Sequence, residues 1–554
     1  MEDFSFLIGG KAGFGIDKAG TVIAGILSRL NYRIYIYRDY PSLIRGGHTF
    51  SIIRAAREKF AAHSSKVDFI LALNQETFDL HHSRLNPGGV VVFDADSVKV
   101  ENFSAPAAAI PIGKIMKEEA GSEIMRNSCM IGAFAKAAGI EWDILKEAFT
   151  EEMAKDAQAN LKIARRGFDE AQLLRRIAPI DAKRLPFILG NEAVSRGLIK
   201  AGLNAYVAYP MTPSSGILHY MASIANESGI AALHLESEIS VIMAALGFVY
   251  AGKKAAVGTS GGGFCLMTEG LSLAGMAELP IVIVMGQRTG PSTGLPTYTG
   301  QSELNFVISA GHGEFTRLVV APGDAQEAYL WSAAALNLAW AYQIPAIILT
   351  DKTLAEGAYS FDIDSIPVVK EEAFPVWDKQ GNYKRYALSA NGVSPLAFAP
   401  EKNSVIKVNS YEHDETGITI EEAGITLAMQ EKRLRKEKYL LQAMDPYEPV
   451  KVYGNKTSTR AILCWGSNKG VCCEVAERLD LKVIQPVALW PFPFKQFKAA
   501  MDGVTRTIAI ENNATGQLAM LIGRYGFKAD ELILKYDGRP FTVDELLEET
   551  QKRI

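Results

Sequence analysis

The chain contains 554 residues, of which 48% are hydrophobic and 22% are charged, and its formal net charge is -4. The length predicts several domains at about 150 residues each. The composition is typical of a folded protein and not of a disordered or fibrous one. The small negative charge gives no electrostatic basis for binding nucleic acid. The opening stretch MEDFSFLIGG is acidic where a secretory signal is basic, and no apolar run is long enough to span a bilayer, so we expect a cytoplasmic protein with no membrane segment.

Residues 1–180 are predicted to form an open α/β layer domain. The apolar strand FSFLIGG is followed by KAGFGIDKAGTVIAGIL, in which glycines give way to a helical pattern. Further strands such as VDFILALN and GGVVVFDAD alternate with helical stretches. The stretch RIAPIDAKRLPF marks the boundary that follows.

A second α/β domain is predicted at 186–360. The alternation restarts with the strand FILG and a helix in NEAVSRGLIKAG whose expected N-cap is Asn191, and it continues through AYVAYP, AALHL, KAAVGTS, LPIVIVMG and PAIILTD. Strands this continuously apolar, each followed by a helix, indicate a parallel sheet covered on both faces. Ligands of such sheets bind beyond the carboxyl ends of the strands, so the residues after each strand are candidates for a site.

The remaining chain divides into two parts. Residues 361–455 are rich in charge and proline and contain one long polar helix, at whose start Thr419 and Glu422 have the spacing of a capping box. We interpret these residues as a connector or partner-contact segment. Residues 456–554 are predicted as a last α/β unit, with strands in RAILCWG, LKVIQPV and TIAIEN.

The five cysteines show no C-x-x-C pair and no other spacing typical of metal ligands. In a reducing compartment such thiols are usually buried or weakly exposed. We therefore expect no metal site, iron–sulfur cluster or structural zinc in this chain. The cysteines are Cys129, Cys265, Cys464, Cys472 and Cys473.

The stretch AYPMTPSSGILHY runs from a strand end into a helix. Thr212 is a suitable N-cap and Pro213 fits the first helical position, so helix capping alone explains both residues. A helix N-terminus at a strand end also presents free N–H groups to an anion such as a carboxylate. The residues alone favour neither helix capping nor anion binding.

The next strand ends add a carboxylate, a glycine turn and an arginine. Glu236 and Glu238 open a helix, where acidic residues commonly complement the helix dipole, but Glu238 precedes a mostly apolar stretch and would be buried, where a carboxylate needs a partner. The glycines of TSGGGF allow a ligand to approach the backbone. Arg288 in GQRTGPSTGLPTYTG is able to hold a carboxylate bidentately, although a surface salt bridge is the commoner role of a single arginine.

YPMTP, ESE, TSGGGF and GQRTGPSTGLPT together resemble the α subunit of the 2-oxoacid:ferredoxin oxidoreductases. The resemblance extends to YEHDETG, to ENNATGQLA and to a γ-type domain fused in front, so it covers nearly the whole chain. It implies a thiamine-diphosphate enzyme that oxidatively decarboxylates a 2-oxoacid onto coenzyme A, or runs the reverse carboxylation. It also implies a multidomain α/β fold, with a γ-type domain at 1–180, a pyrimidine-binding domain at 186–360, the connector at 361–455 and a transketolase C-terminal-like domain at 456–554.

The resemblance also implies roles for the residues at the strand ends. Glu238 would hydrogen-bond the aminopyrimidine ring of the cofactor, with Glu236 as the less favoured choice. Thr212 and Arg288 would hold the carboxylate and oxo group of the substrate. Met211 stands where the family motif has isoleucine, which is a conservative difference. Further cofactor contacts are implied for Tyr209, Pro210, Ser260, Gly261 and Gly262.

Contacts to coenzyme A and to the 2-oxoacid side chain are implied by resemblance alone. The glycine turns in GKAGFG and LIRGGH would turn backbone amides toward phosphate groups, although Ala12 and Phe14 depart from the glycines of the family motif. Tyr298 and Gln301 lie where the substrate side chain could be selected. The substrate and coenzyme A contacts implied are Gly10, Gly13, Gly15, Arg45, Gly46, Gly47, Thr293 and Thr297.

A separate β subunit is implied as the partner of this chain. The Gly-Asp-Gly motif that binds Mg2+ and diphosphate in thiamine enzymes is absent from the sequence, and so are cysteines spaced for a cluster. The β subunit would supply the Mg2+ site and a [4Fe–4S] cluster, two αβ heterodimers would form a heterotetramer, and ferredoxin would accept the electrons. On this interpretation the chain is inactive alone.

The sequence favours other functions and other substrates less. A nicotinamide-dependent dehydrogenase would need G-x-G-x-x-G at the first helix, and the glycines are wrongly spaced, although Asp39 lies near the expected acidic position. A non-catalytic scaffold is disfavoured because Glu238 and Arg288 are both present. Within the family, the fused γ and α parts and GPSTGLPT favour 2-oxoglutarate, converted to succinyl-CoA, over pyruvate or a broad range of 2-oxoacids.

Overall fold

The computed structural model describes residues 3–42, 46–101, 103–153, 157–369, 372–402 and 404–554. The chain divides into two compact units. The first unit contains Met1–Ile188, Gly357–Asp362 and Phe541–Glu548, and the second contains Leu189–Glu356, Ile363–Pro540 and Glu549–Ile554. This division is coarser than the four predicted domains, whose individual boundaries stay a prediction.

Strands and helices alternate along most of the chain, and the predicted α/β fold class is confirmed. The elements up to residue 189 are β1 (Asp3–Lys11), α1 (Ile16–Arg29), β2 (Arg33–Asp39), β3 (His48–Ala56), β4 (Val67–Ala72), α2 (Gln75–His81), β5 (Leu85–Asp94), β6 (Ala107–Ile110), α3 (Ile112–Glu118), α4 (Arg126–Ala137), α5 (Trp142–Glu152), α6 (Ala157–Glu170) and β7 (Phe187–Leu189). Those that follow are α7 (Gly190–Lys200), β8 (Ala205–Ala208), α8 (Ser215–Ser228), β9 (Ala231–His234), α9 (Glu238–Tyr250), β10 (Ala255–Thr259), α10 (Gly261–Met276), β11 (Val282–Gln287), α11 (Leu304–Ser309), β12 (Leu318–Val320), α12 (Ala325–Tyr342), β13 (Ala346–Asp351), α13 (Lys352–Glu356), β14 (Ala358–Ser360), α14 (Ala423–Ala443), β15 (Val450–Gly454), β16 (Arg460–Leu463), α15 (Asn468–Leu479), β17 (Lys482–Pro486), β18 (Ala488–Trp490), α16 (Phe494–Ala500), β19 (Arg506–Glu511), α17 (Gln517–Gly523), β20 (Glu531–Leu534) and α18 (Val543–Gln551). Within the described ranges, no helix is both long enough and apolar enough to cross a bilayer.

The first unit is built on a mixed sheet in the order β6-β5-β4-β1-β3-β2-β14-β7. β3 runs antiparallel to both β1 and β2, whereas β1, β4, β5 and β6 run parallel to their neighbours in that series. Aromatic rings from the sheet and α4 form part of its core, where Phe6, Phe69 and Phe134 lie with ring centroids between 5.1 and 5.7 Å apart. Such offset and edge-on contacts between buried rings stabilise the layer packing.

A larger and a smaller sheet form the second unit. The larger sheet has the order β18-β12-β13-β11-β10-β8-β9, with parallel pairs from β12 to β9 and β18 antiparallel to β12. The smaller sheet has the order β15-β17-β16-β19-β20, with β15 antiparallel to β17. The carboxyl ends of parallel strands lie at one edge of each sheet, which is where open α/β sheets bind their ligands.

Three strands belong to sheets that their sequence positions do not indicate, and one of them is β14, which lies within the predicted second domain but pairs with β2 of the first unit. β7, which contains the predicted first strand of the second domain, pairs beside β14 in the sheet of the first unit. β18 leaves the C-terminal series and extends the larger sheet of the second unit. Apolar periodicity identifies a strand, but its neighbours depend on which strand edges the folded chain leaves free, and consecutive strands are not always neighbours.

Two predicted helix starts are wrong. Asn191 lies inside α7, whose N-cap is Leu189, and the Asn191 amide donates to the Pro213 carbonyl over 2.8 Å. Thr212 and Pro213 lie in a turn, and α8 begins only at Ser215. The Asn191 side chain, which local spacing had assigned to a helix cap, therefore joins the first turn of α7 to the turn before α8.

Residues 363–455 of the predicted connector are part of the second unit, and they contribute buried contacts to it. α14 carries Lys432 and Lys436 into the interior, where both ammonium groups donate to the buried carboxylate of Glu278. The predicted capping box at the start of α14 does not form, and the Thr419 hydroxyl instead accepts a hydrogen bond from Asn409. A contact of this segment with a partner stays a prediction.

Candidate active site

Four strand ends of the second unit bring together residues that the sequence singled out. In the larger sheet β11, β10, β8 and β9 are successive neighbours and run parallel. Thr212 follows β8, Glu238 follows β9, Ser260 follows β10 and Arg288 follows β11. Because parallel strands end at the same edge, these residues lie along one rim of the sheet, which we call the strand-end rim.

Glu238 is a buried carboxylate at this rim. It is the first residue of α9 and is 6% exposed, and its carboxylate makes no hydrogen bond or ion pair with any described residue. Glu236 is exposed and accepts hydrogen bonds from the Ser237 and Ser240 hydroxyls over 3.1 and 2.6 Å. Because a buried carboxylate needs a partner, Glu238 is the better candidate for meeting a ligand.

The first turn of α10 passes close to Glu238. A Cβ added at Gly263 would lie 2.5 Å from Oε1 of Glu238 and 2.1 Å from Oγ1 of Thr259. Real Cβ atoms do not approach other atoms so closely, so a larger residue at this position would displace the Glu238 and Thr259 side chains. This glycine of TSGGGF therefore lets the helix approach the carboxylate, a role that the sequence did not indicate.

Arg288 is tied to the loop that contains Thr212. Its Nη1 donates to the Thr212 carbonyl oxygen over 3.1 Å, and its other guanidinium nitrogens make no hydrogen bond with the described residues. Pro213 packs against β11, where a Cβ added at Gly286 would lie 2.9 Å from Pro213 Cγ. Burial lowers the pKa of Arg288, and the carboxyl of Glu303 acts against that shift. The predicted pair of Thr212 and Arg288 is thus adjacent, with a cation facing the rim.

Glu303 is a rim residue that the sequence analysis missed. Its backbone N–H donates to Oε1 of Gln287 over 3.2 Å, its Oε1 accepts from the Ser302 hydroxyl over 3.0 Å, and its Oε2 is buried without a hydrogen-bond partner. A Cβ added at Gly261 would lie 3.1 Å from its Oε1. Burial raises the pKa of Glu303 to about 7, opposed by the Ser302 hydrogen bonds and the charge of Arg288. No local pattern marks this residue, because it lies between a polar loop and a six-residue helix.

The other predicted contact residues of this unit divide between buried and exposed positions. Ser260 and Thr297 are buried, and neither hydroxyl oxygen has a hydrogen-bond partner. Buried polar atoms are normally satisfied, so both are suited to a ligand. Tyr298 is covered by the Arg539 guanidinium, whose carbon lies 3.7 Å from the ring centroid. Exposed or partly exposed are Tyr209, Pro210, Gly261, Gly262 and Thr293.

Gln301 holds its loop to the smaller sheet. It is fully buried, its Nε2 donates to the Trp465 carbonyl over 2.9 Å, and its Oε1 accepts from the Asn468 amide over 2.8 Å and from the Asn512 N–H over 3.0 Å. The side chain thereby bonds residues that follow β16 and β19. These bonds are made within the chain, and the role of Gln301 in substrate selection stays a prediction.

The glycine turns of the first unit meet each other. The Ala12 N–H donates to the Gly47 carbonyl over 3.1 Å. Gly13 and Gly46 have φ angles of 98° and 83°, and a Cβ added at either would have no atom within 4 Å. Their backbone is thus open on that side, as a phosphate contact requires, and the coenzyme A assignment stays a prediction.

The remaining predicted coenzyme A residues differ in position. Gly10 lies inside β1 and pairs with Thr49 of β3, so the sheet uses its backbone. Gly15 is the N-cap of α1 in a left-handed conformation. Arg45 lies outside the described residues.

Comparison with known families agrees with this geometry. Residues 196–432 match the family described as pyruvate flavodoxin/ferredoxin oxidoreductase, thiamine diphosphate-binding, and residues 5–170 match the pyruvate ferredoxin/flavodoxin oxidoreductase family. The 2-oxoacid:ferredoxin oxidoreductase subunit alpha of a Sulfolobus species is 31% identical over 99% of this chain and 97% of its own length. The chain belongs to the alpha subunits of the 2-oxoacid:ferredoxin oxidoreductases. It is therefore one subunit of a multi-subunit oxidoreductase.

Two further relatives are named for 2-oxoglutarate. The 2-oxoglutarate:ferredoxin oxidoreductase of Magnetococcus marinus, solved with 2-oxoglutarate, coenzyme A and succinyl-CoA bound, is 30% identical with a TM-score of 0.90 and covers 100% of this chain and 99% of that one. The 2-oxoglutarate synthase subunit KorA of Methanothermobacter thermautotrophicus is 29% identical over 65% of this chain and 96% of its own length. The predicted family and enzyme class are confirmed.

The strand-end rim fits the pyrimidine end of thiamine diphosphate. An aminopyrimidine presents ring nitrogens and an amino group, and the rim offers the unpartnered Glu238 carboxylate and the unpartnered Ser260 hydroxyl. Both groups lie beyond strand ends, one at the start of α9 and one just before α10. Among the described residues, no group of three or more His, Cys, Asp or Glu side chains is arranged to hold a metal ion.

Proposed function

We propose that this chain, together with a β subunit, oxidatively decarboxylates 2-oxoglutarate to succinyl-CoA with ferredoxin as electron acceptor, or runs the reverse carboxylation. The observation that carries the proposal is the Glu238 carboxylate, which is buried at the strand-end rim and has no partner among the described residues. The choice of 2-oxoglutarate is supported by the names of two relatives and by the fused γ-type and α-type parts.

Glu238 is the residue that acts on the cofactor. Thiamine diphosphate, when bound, supplies the nucleophilic carbon and the electron sink that decarboxylation of a 2-oxoacid requires. The Glu238 carboxylate accepts a hydrogen bond from the aminopyrimidine ring and so holds a proton at a ring nitrogen. The Ser260 hydroxyl adds a second polar contact.

Arg288 and Thr212 hold the substrate. The guanidinium N–H groups that make no bond with the described residues pair with the 2-oxoacid carboxylate, and the Thr212 hydroxyl donates to the oxo group. The 3.1 Å bond from Arg288 to the Thr212 carbonyl orients the guanidinium before the substrate arrives. Such preorganisation lowers the entropic cost of placing the carboxylate for loss of CO2.

An apolar surface beside Glu238 fits a docking β subunit. Ile239, Met243 and Leu266 are 52%, 45% and 49% exposed, and they lie on α9 and α10, the helices that begin beside the carboxylate. Exposed apolar patches mark protein interfaces. A β subunit docked there would exclude water from the rim and supply the Mg2+ and diphosphate site and the [4Fe–4S] cluster, in a dimer of αβ heterodimers.

Coenzyme A is the proposed acyl acceptor. Its phosphate groups would contact the open backbone of the glycine turns in the first unit, which contain Gly13 and Gly46. Successive backbone N–H groups in such turns form anion-binding concavities. Gly15, Gly47 and the neighbouring Arg45 complete the proposed set.

Co-expression with a β-type subunit tests the proposed function. The assay measures reduction of ferredoxin or a viologen dye that depends on both a 2-oxoacid and coenzyme A. We expect activity only with both subunits, and a higher kcat/KM with 2-oxoglutarate than with pyruvate. An equal or higher kcat/KM with pyruvate would indicate that the enzyme uses pyruvate or a broad range of 2-oxoacids. A requirement for a nicotinamide in place of ferredoxin would contradict the proposed function.

A further inference from the structure

His48 and His81 form a hydrogen-bonded pair in the first unit that the proposed function does not use. His48 is the first residue of β3, directly after the glycine turn that contains Gly46, and His81 is the last residue of α2. Their Nε2 atoms lie 2.8 Å apart. Nη1 of Arg84 lies 3.4 Å from the other ring nitrogen of His81, Nδ1. The other ring nitrogen of His48, also Nδ1, is buried and has no hydrogen-bond partner.

The partners of the two rings determine the direction of each hydrogen bond. A guanidinium has donors only, so Nδ1 of His81 accepts from Arg84, and the single proton of a neutral His81 ring lies on Nε2. That N–H group donates to Nε2 of His48, which leaves the proton of His48 on Nδ1. The chain of donors therefore runs from Arg84 through His81 to His48, and it ends at an N–H group that has no acceptor.

Both rings are neutral in this arrangement. A hydrogen bond between the two Nε2 atoms needs one nitrogen without a proton, and a charged His81 would also direct an N–H group at Arg84. Burial lowers the pKa of His81 to about 3, and the charge of Arg84 acts in the same direction. Burial also lowers the pKa of His48, against the charges of Glu76 and Asp39. The pair therefore supplies a hydrogen-bond donor and not a base.

Packing and a further hydrogen bond hold this chain of donors in place. Nε of Arg84 donates to the Ser65 carbonyl over 2.8 Å, which fixes the guanidinium beside His81. The Phe50 ring packs on both imidazoles, with its centroid 4.6 Å from that of His81 and 5.5 Å from that of His48. The Nδ1–H group of His48 therefore has a defined position before any ligand arrives.

His48 lies at the edge of the first sheet where ligands of α/β sheets bind. β3 runs antiparallel to β1, and His48 pairs with Lys11, the last residue of β1, so His48 lies beside the carboxyl end of that strand. The turns that contain Gly13 and Gly46 follow β1 and precede β3 at this edge. His48 as a whole is partly exposed there. A chain of hydrogen bonds that starts at the Arg84 cation strengthens its last donor, which favours an anionic acceptor.

We propose that His48 is a binding residue whose Nδ1–H group donates to an anionic oxygen of a ligand at the glycine turns, and that His81 and Arg84 are positioning residues for this donor. The oxygen belongs to a phosphate of coenzyme A or to a carboxylate of the 2-oxoacid, the two anionic ligands of the proposed reaction. Neither ring gains or loses a proton when the ligand binds. The inference rests on the proposed function, because that function supplies both ligands.

Steady-state kinetics of the α–β complex distinguish the two ligands. His48→Phe keeps an aromatic ring but has no donor. We expect the KM of one ligand to rise about 10- to 100-fold with a smaller change in kcat, because one hydrogen bond to a charged group is lost. A rise for coenzyme A alone identifies a phosphate, and a rise for 2-oxoglutarate alone identifies a carboxylate. Unchanged KM values for both ligands, or equal rises for both, would overturn the proposal.

Two amide substitutions separate the donor from the packing of the ring. The side-chain nitrogen of asparagine is as far from the backbone as Nδ1 of histidine, whereas that of glutamine reaches as far as Nε2. We therefore expect His48→Asn to keep a KM close to that of wild type and His48→Gln to follow His48→Phe. Equal KM values in the two amide variants would contradict a role for Nδ1.

The positioning role of His81 is tested against its neighbour in the chain. In His81→Phe the proton of His48 is able to move to Nε2, because that nitrogen has lost its donor, and we expect a smaller rise in the same KM than in His48→Phe. His82 is the control, because its Nδ1 lies 3.0 Å from the Phe78 carbonyl oxygen of its own helix. His82→Phe should leave both KM values unchanged. A His81→Phe variant with wild-type KM values would show that His81 does not position the donor.

Nitrogen NMR of the same complex with isotope-labelled histidine provides a readout other than turnover. We expect one ring with a proton on Nδ1 and none on Nε2, whose signals are absent from His48→Phe and shift when coenzyme A or 2-oxoglutarate is added. A His48 ring with its proton on Nε2 would overturn the proposal. A wild-type complex that shows the expected signals but has no activity dependent on a 2-oxoacid and coenzyme A would instead overturn the proposed function, so the two failures are distinguishable.

Discussion

At the scale of single residues, the first turn of α10 separates two acids with different environments. Glu238 is buried beside Gly263 and makes no hydrogen bond with the described residues. Glu303 lies beside Gly261, with one oxygen bonded to Ser302 and the other unpartnered. The helix approaches both acids because it begins with glycines, so single residues here control where two carboxyl groups lie.

Replacing Glu238 with glutamine tests the proposed contact with the cofactor. Glu238→Gln keeps the size of the side chain but weakens its ability to hold a proton on a ring nitrogen, and we expect kcat to fall by about 100- to 10,000-fold. Binding of thiamine diphosphate, measured by circular dichroism of the α–β complex, should change much less. The control is Glu236→Gln, which alters an exposed carboxylate bonded to two serines. Near-full turnover in Glu238→Gln would show that the assignment is wrong.

Adding a methyl group at Gly263 should displace Glu238. In Gly263→Ala the new Cβ would lie 2.5 Å from Oε1 of Glu238, so the carboxylate must move. A displacement of about 1 Å at a reacting group costs on the order of 100-fold in rate, and we expect a loss of that size in kcat with the fold retained. The control Gly424→Ala places a Cβ in the first turn of α14 with no atom within 4 Å, and it should leave kcat unchanged. Equal kcat in the two variants would contradict this role for Gly263.

At the scale of elements, the loop between β11 and α11 is held near both of its own ends. Arg288 at its start bonds the loop of Thr212, and Gln301 near its end bonds the smaller sheet at the ends of β16 and β19. Open α/β sheets usually bind ligands at such strand ends. In the smaller sheet, residues after two strand ends instead bond the Gln301 side chain, so this sheet supports the loop.

Removing the Gln301 side chain should loosen this loop. Gln301→Ala leaves the buried Trp465 carbonyl and the Asn512 N–H without their partner, at a cost of about 1 to 3 kcal/mol per unsatisfied group. We expect a lower free energy of unfolding in chemical denaturation together with a higher KM for the 2-oxoacid. The control is Gln380→Ala, at an exposed position. A destabilised variant with wild-type KM would mean that the loop does not depend on this anchor.

At the scale of the whole molecule, a buried charge cluster connects distant parts of the second unit. Glu278 follows α10, and its carboxylate accepts hydrogen bonds from Lys432 and Lys436 of α14, while the Arg385 guanidinium donates to the Glu278 carbonyl over 2.8 Å. Burial together with the other cations lowers the pKa of Lys436 to about 7, and the nearby cations lower the pKa of Glu278. Three cations around one carboxylate make the stability of this unit depend on pH.

The pH dependence of unfolding should identify Lys436. Its pKa is about 7 when folded and 10.5 for the free side chain, so the unfolded chain binds more protons between these values and the free energy of unfolding rises with pH. Between about pH 7 and about pH 9 we expect wild type to gain about 1 to 3 kcal/mol relative to Lys436→Met. Lys438→Met on the exposed face of α14 is the control and should follow wild type. Parallel pH profiles for wild type and Lys436→Met would contradict the expectation.

Much of the fold and part of the site could be predicted because the signals are local. Apolar strands followed by helices identified β8, β9, β10 and β11. Because parallel strands all end at the same edge of their sheet, the position of their carboxyl ends could be predicted as well. Arg288 was found as a candidate because it directly follows such a strand, and Glu238 because it starts the helix that follows one. The family resemblance carried by these strand-end motifs then implied the reaction.

What only the tertiary structure decided depends on contacts between distant parts of the chain. Three features involve a partner elsewhere in the sequence. They are the pairing of β7 beside β14, the hydrogen bond from Asn191 to the Pro213 carbonyl, and the bond from Gln301 to the Trp465 carbonyl. The raised pKa of Glu303 arises from burial, which no local pattern records. The sequence alone determined the elements, the strand-end residues and the family, because helix and strand periodicity is a property of neighbouring residues. Strand partners, buried hydrogen bonds and desolvated acids were decided only by the folded chain, because each requires surfaces that packing brings together.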